Sequence, residues 1–321
     1  MASAAVLAGA GPAGAATIDI TGTTTTQQSL SGTDTLTVET TGKLSVGASD
    51  PALQINNAST GVVITNLGLI EDTHSGASRA VRIASGGSGA AGTTRTVTLN
   101  NAAGATIQTN GDAFQSQVNV ATGTITVNNA GLLQSIGTGA NNGQAIDLDN
   151  IQAGTATIVI NNSATGVIRA ADADAIRPGN NSTVSNHGLI FGGTASATGN
   201  DGVDFQSANT GTVNNFSDGS IIGTRHGITG DRAQTIVNSG IITGQAGSGI
   251  NLDTVTGTTV VTNNAGGMIT GTIPAGAPAG RTATASMSTT WSTSPIRARS
   301  ARSAPARAAR PTRRWRSAAA R

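Results

Sequence analysis

Three close pairs of carboxylates carry whatever chemistry this sequence could perform: Asp147 with Asp149, Asp172 with Asp174, and Asp201 with Asp204. Acids at i and i+2 on a strand face the same side. Two carboxylates on one face can act as general acid and base, or hold a cation. Gly199-Asn200-Asp201-Gly202-Val203-Asp204 resembles one copy of the calcium-binding nonapeptide G-G-x-G-x-D-x-U-x, a motif that works in tandem. No second copy follows. His74, His187 and His226 lie apart in turn-like sequence, and no H-E-x-x-H, G-x-S-x-G or P-loop lysine motif occurs. Lys43 is the only lysine, and the absence of Cys excludes thiolate metal sites and disulfides.

The same acids have a plainer explanation in an internal repeat. A short element recurs as Ala80-Val81-Arg82-Ile83, Ala145-Ile146-Asp147-Leu148, Gly202-Val203-Asp204-Phe205 and Gly249-Ile250-Asn251-Leu252, with shorter forms Ala175-Ile176-Arg177 and Gly227-Ile228-Thr229. Aligning these copies puts Arg82, Asp147, Arg177, Asp204, Thr229 and Asn251 in one outward column. Asp147, Arg177 and Asp204 would then form a ladder of opposite charges, each pair worth a few tenths of a kcal/mol. Carbohydrate sites also offer aromatic platforms, whereas residues 1–280 hold four Phe and no Trp or Tyr. The residues therefore assign no catalytic, cofactor-binding or metal-ligating position.

A second repeated element must position these acids. It couples an apolar alternation to Asn and then Gly: Val63-Ile64-Thr65-Asn66-Leu67-Gly68, Ile125-Thr126-Val127-Asn128-Asn129-Ala130-Gly131, Val184-Ser185-Asn186-His187-Gly188 and Ile236-Val237-Asn238-Ser239-Gly240. Nine anchor glycines, from Gly42 to Gly267, recur about every 28 residues, a period that marks a solenoid. Alternation such as Val97-Thr98-Leu99 fits strands with one buried face. One such strand is unstable alone. Stacked in parallel about 4.8 Å apart, successive copies share a dry interior. Asn and Gly would make the corners through positive φ, and stacked Asn side chains would hydrogen-bond between coils. The expectation is an all-β parallel β-helix over residues 17–273. It has about nine coils, with Ile64, Val127, Val184 and Val237 along one axis.

Composition agrees. Aromatics make up 2% and charged residues 11% of 321 residues, with 44 Gly and an apolar fraction built from Val, Ile, Leu and Ala. Such residues suit tightly stacked strands better than helices. No 18-residue apolar run marks a membrane helix. Residues 1–280 hold eight basic and sixteen acidic side chains, a net charge of −8, so the body is not a nucleic-acid-binding surface. Residues 281–321 hold ten Arg and no acid. At the other end, residues 1–16 are small and apolar and end in Ala13-Gly14-Ala15, like the cleavage site of a secretory signal without its basic start. Residues 274–321, rich in Arg, Ala, Ser and Pro, are expected to be a disordered tail. They are either a GC-rich reading-frame shift or a genuine basic tail that binds nucleic acid or anionic surface polymers.

The sequence Val237-Asn238-Ser239-Gly240-Ile241-Ile242-Thr243-Gly244, followed by Gly249-Ile250-Asn251-Leu252-Asp253, resembles the passenger domains of bacterial type V autotransporters. The resemblance covers residues 20–273. It implies a right-handed passenger β-helix, an export signal and a C-terminal outer-membrane translocator barrel. No segments of alternating hydrophobicity after Ile273 match such a barrel. The implied role is a non-catalytic, monomeric stem or adhesin at the cell surface or secreted, exported through the periplasm, with an extracellular ligand and no cofactor. The alternatives are a β-helix polysaccharide lyase or hydrolase, and a non-functional product of a damaged reading frame.

Overall fold

The computed structural model describes residues 14–47, 51–56, 59–84, 93–193, 199–206 and 209–272. The leader reading for residues 1–16 lies outside the described residues over 1–13, and the tail reading for 274–321 lies outside them altogether. Within them the chain is built from strands in three parallel sheets, and the only helix is one short turn at Gly139–Asn141. Sheets A and B each hold ten strands and sheet C holds nine, their first strands being Thr17–Ile20, Thr23–Thr24 and Gln28–Leu30 respectively. Every paired strand lies beside its copy from the next repeat. The first sheet A strand is Thr17–Ile20, which pairs with Thr35–Val38, and so on to Val260–Asn263. One level precedes the Gly42 anchor, formed by Thr17–Ile20, Thr23–Thr24 and Gln28–Leu30, so sheets A and B have ten levels and not nine. Its strands are short and lack the Asn-x-Gly signature, which is why the repeat does not announce it.

The interior follows from register. Ile18, Leu36, Ile64, Leu99, Val127, Ile160, Val184, Val213, Ile236 and Val261 are successive partners in an unbroken column. The interval between column members runs from 18 residues (Ile18 to Leu36) to 35 (Ile64 to Leu99), so length variation is absorbed in the turns and register is kept. Val237 is not in this column. It pairs with Asn214 and Thr262, and Ile236 takes the inward place. The inward residue is the one two before the strand-end Asn, and in Ile236-Val237-Asn238 both candidates are apolar. Two large rings also enter the core, since Phe114 and Phe205 are fully buried.

The strand-end asparagines form a second buried column. Asn66, Asn101, Asn129, Asn162, Asn186, Asn215 and Asn238 each pass an Nδ2–H to the Oδ1 of the next, at 2.7–2.9 Å, and the file ends on Asn263 as acceptor. Their remaining N–H groups satisfy turn carbonyls, as Asn129 does for Gly131 at 3.1 Å and Val167 at 3.2 Å. A buried amide with every partner present stabilises, and one left unpaired costs a few kcal/mol. The anchor glycines do a different job from the one expected. Apart from Gly104, none of them has positive φ. A Cβ on Gly240 would lie 2.2 Å from the carbonyl oxygens of both Gly219 and Phe216, so close coil stacking is what excludes a side chain there.

Candidate functional site

The carboxylates gather on the outward side of sheet C. In this sheet Ser29, Gln54, Arg82, Gln115, Asp147 and Arg177 are successive partners. Asp204 follows Val203, the partner of Ile176, and itself pairs with Thr229, then Asn251. The column expected from the repeat is therefore present, with Gln115 standing between Arg82 and Asp147. Asp147, Arg177 and Asp204 occupy three adjacent strands.

The expected ladder of opposite charges along this column does not form as direct pairs. Arg177 instead donates through Nε and a terminal nitrogen to Asp174 Oδ2, at 3.0 and 2.9 Å, and lies 4.0 Å from Asp149. Asp174 wins because it sits three residues before Arg177 in the turn leading into the same strand. Asp147 accepts only the Asp149 N–H at 3.3 Å, and Asp204 takes the backbone and side-chain N–H groups of Gln206. Neither acid makes an ion pair among the described residues.

A parallel column lies in the turn just before the strand. Asp112, Asp174 and Asp201 each precede the small residue of the element, and each accepts the backbone N–H one level above: Gln144 on Asp112 at 2.8 Å, Asp201 on Asp174 at 2.7 Å, His226 on Asp201 at 3.0 Å. His226 continues the pattern, its Nδ1 accepting the Ser248 N–H at 2.8 Å. Arg225 closes a two-pronged pair on Asp201, at 2.9 and 2.5 Å, and Arg79 lies 3.5 Å from Asp112. These carboxylates join coils through charge-assisted hydrogen bonds.

One oxygen from each of Asp174, Asp201 and Asp204 lies within 4.8 Å of the others, a spacing compatible with a shared cation. Both oxygens of each already accept donors: Arg177 and the Asp201 N–H on Asp174, Arg225 and the His226 N–H on Asp201, Gln206 on Asp204. The trio is accounted for as an ion-pair and hydrogen-bond cluster. Within Gly199 to Asp204, Asp201 and Asp204 belong to this cluster, and Asp172 is bonded to the Gly139 N–H and to Asn200.

Burial sets the electrostatics. It pushes Asp147 up to about 7, helped by repulsion from Asp112 and Asp149. It pushes Asp204 up to about 7, helped by Asp174 and Asp201. Asp112 and Asp174 are also raised by burial, against the pull of Arg79 and Arg177 respectively. Burial opposes the charge of Arg177, but Asp174, Asp147 and Asp204 outweigh it and hold the guanidinium above its ordinary value. The arrangement thus has two outward carboxyls that exchange protons near neutrality, with a fixed cation between them.

The histidines are less isolated than the sequence suggests. His187 lies 2.8 Å from Asp218 and stacks on Phe216 with ring centroids 4.0 Å apart, while His74 contributes its backbone N–H to Asp72. Sequence reasoning passed over Asp112, Arg79 and Arg225. For Arg79 and Asp112 a signal was there: the residue before each small residue of the element reads Arg79, Asp112, Gln144, Asp174, Asp201 and His226, an alignment as regular as the one used for the strand.

Comparison with protein-family models, curated proteins and solved structures finds no match to this chain.

Proposed function

We propose that this chain is a non-catalytic, surface-exposed or secreted solenoid of the autotransporter-passenger kind, serving as a stem that presents its faces to an extracellular ligand. The observation that carries this reading is the unbroken register of ten strands in sheet A, about 43 Å of rod at 4.8 Å per step. Its conserved geometry from level to level puts length and stiffness first. The acids in the turn before sheet C, Asp112, Asp174 and Asp201, join successive levels. A contact surface fits the outer face of sheet B, where the register partners Ile241 and Met268 are 44% and 48% exposed. Export through the periplasm, an outer-membrane anchor supplied by a translocator barrel, and a monomeric rod complete the proposal. Protease treatment of intact cells carrying the full gene tests it. Loss of the rod from the surface is the expected result, and full protection with the chain retained inside the cell would contradict it.

A β-helix polysaccharide hydrolase or lyase is the second reading, and one observation favours it. Asp147 and Asp204 flank Arg177 on one face, two strand steps or about 10 Å apart across the sheet, and burial raises both to about 7. Inverting glycoside hydrolysis uses one protonated carboxyl as general acid and one ionised carboxylate as base toward water, so the singly ionised pair, populated near pH 7, is the form that would act. Release of reducing or unsaturated ends from acidic polysaccharides, abolished in Asp147→Asn or Asp204→Asn, would establish it. Absence of turnover across the panel would leave the stem reading. The third reading, a damaged reading frame, is tested by sequencing the locus: a barrel-coding region in another frame downstream supports it, and an intact frame ending at Arg321 removes it.

A further inference from the structure

We propose that sheet C, across the strands Ile146–Asp147, Ile176–Arg177 and Val203–Asp204, is a pH-responsive seam: it parts locally when its outward carboxyls ionise, while sheets A and B hold the rod together.

The geometry sets the three sheets apart at these levels. The sheet C strands are two residues long, with two partner pairs in register between the first and second and one between the second and third. The sheet A strands at the same levels, Val120–Asn129, Thr157–Asn162 and Ser182–Asn186, have ten, six and five residues and end in the Asn column. The sheet B strands have four residues each. Local opening follows the element with the fewest backbone hydrogen bonds. Here those bonds run from the N–H groups of Ile146, Leu148, Ile176, Val203 and Phe205 to Ala175, Arg177, Gly202, Gly227 and Thr229.

Charge concentrates on this strip. Asp147 is faced by Asp112 and Asp149 and by one cation, Arg177. Asp204 is faced by Asp174 and Asp201, and by Arg177 and Arg225. Arg177 is committed to Asp174, and Arg225 to Asp201. When Asp147 and Asp204 are protonated, Asp112, Asp149, Asp174 and Asp201 face three cations, Arg79, Arg177 and Arg225, and the seam carries a net charge of about −1, which becomes about −3 when both ionise. When both ionise, two buried carboxylates without ion pairs stand among four other acids, and parting the strands exposes them to water. Burial keeps both protonated up to about pH 7, well above the range of a free carboxyl, so proton release and opening are linked in the same direction. The seam holds whether the rod is a stem or an enzyme.

Hydrogen exchange of the full chain at pH 5 and pH 8, normalised to the intrinsic chemical rate, reads this out. Amides in segments 146–148, 176–177 and 203–205 should lose protection by about tenfold or more between pH 5 and pH 8, a conservative figure for two groups displaced by several pH units. Sheet A segments 124–129, 157–162 and 182–186 should change less than about twofold, because opening is confined to the seam. In Asp147→Asn/Asp204→Asn the pH difference should vanish. Equal protection of the wild-type seam at both pH values would overturn the proposal without need of any variant. So would loss of protection in sheet A alongside sheet C, or a pH difference that survives in the double variant.

Discussion

Asn129 passes its side-chain N–H to Oδ1 of Asn162 at 2.8 Å, one level away in space and 33 residues away in sequence. The bond lies in a file of eight asparagines joined by seven such bonds, in which each of the six inner amides is acceptor for one neighbour and donor to the next. The file fixes how far each coil advances, because a coil out of step would orphan an amide at its strand end. Asn129→Ala removes the acceptor of Asn101 and the donor to Asn162, Gly131 and Val167. Denaturant unfolding should show a loss of about 2–4 kcal/mol. Asn129→Asp should be no milder, since a carboxylate cannot donate and brings a buried charge.

Gly240→Ala should cost about 3 kcal/mol or more, because the new Cβ meets two backbone oxygens at 2.2 Å that cannot move without parting coils. Gly104→Ala is the comparison. Gly104 has open space around the Cβ position but φ of +81°, so the expected cost is about 1 kcal/mol of backbone strain. Equal losses would remove the distinction between stacking and conformation.

Ile160→Ala in the inward column should cost about 2–5 kcal/mol. Its outward neighbour Val159→Ala should cost less than about 1 kcal/mol, because that side chain is only half-buried. Thermal or denaturant unfolding of the pair checks the assignment of faces on the strand Thr157–Asn162.

Stability should fall as pH rises from about 4 to about 7. Asp147 and Asp204 keep their protons to about pH 7 in the folded chain and lose them near pH 4 when unfolded. Between these values the folded state binds more protons, so each step up in pH favours unfolding, and the penalty is complete above pH 7. Asp147→Asn/Asp204→Asn should therefore gain on the order of a few kcal/mol over wild type at pH 8 and little at pH 4. Unfolding curves at both pH values check this, and a variant less stable than wild type at pH 8 would reverse the sign.

The architecture was legible because its cause is periodic. Asn66, Asn129, Asn186 and Asn238 end strands at matching points, and the residue two before each is inward. Val237 was misassigned because Ile236 beside it is equally apolar and only the Asn offset separates them. The outward column from Arg82 to Asn251 was legible for the same reason. Its pairing was not: the choice of Asp174 over Asp147 by Arg177 depends on the path of a turn, which composition does not encode. Arg225 was hidden because it stands outside the aligned position that Arg79 and Asp112 share, and its partner Asp201 is 24 residues away. The demand for glycine at Gly240 comes from carbonyls of the preceding coil, so local turn preference gave the right residue for the wrong reason.

Everything rests on parallel, in-register stacking, and the chain's lack of cysteine makes a direct test simple. Spin labels on Thr98→Cys and Thr235→Cys would sit on the outer face of sheet A, five register steps apart through Thr126, Val159, Thr183 and Thr212. A pulsed dipolar measurement should give a narrow distribution near 24 Å of backbone separation, widened only by the label arms, at about 4.8 Å per step. A broad distribution, or a dominant distance beyond about 40 Å, would contradict stacking of these strands.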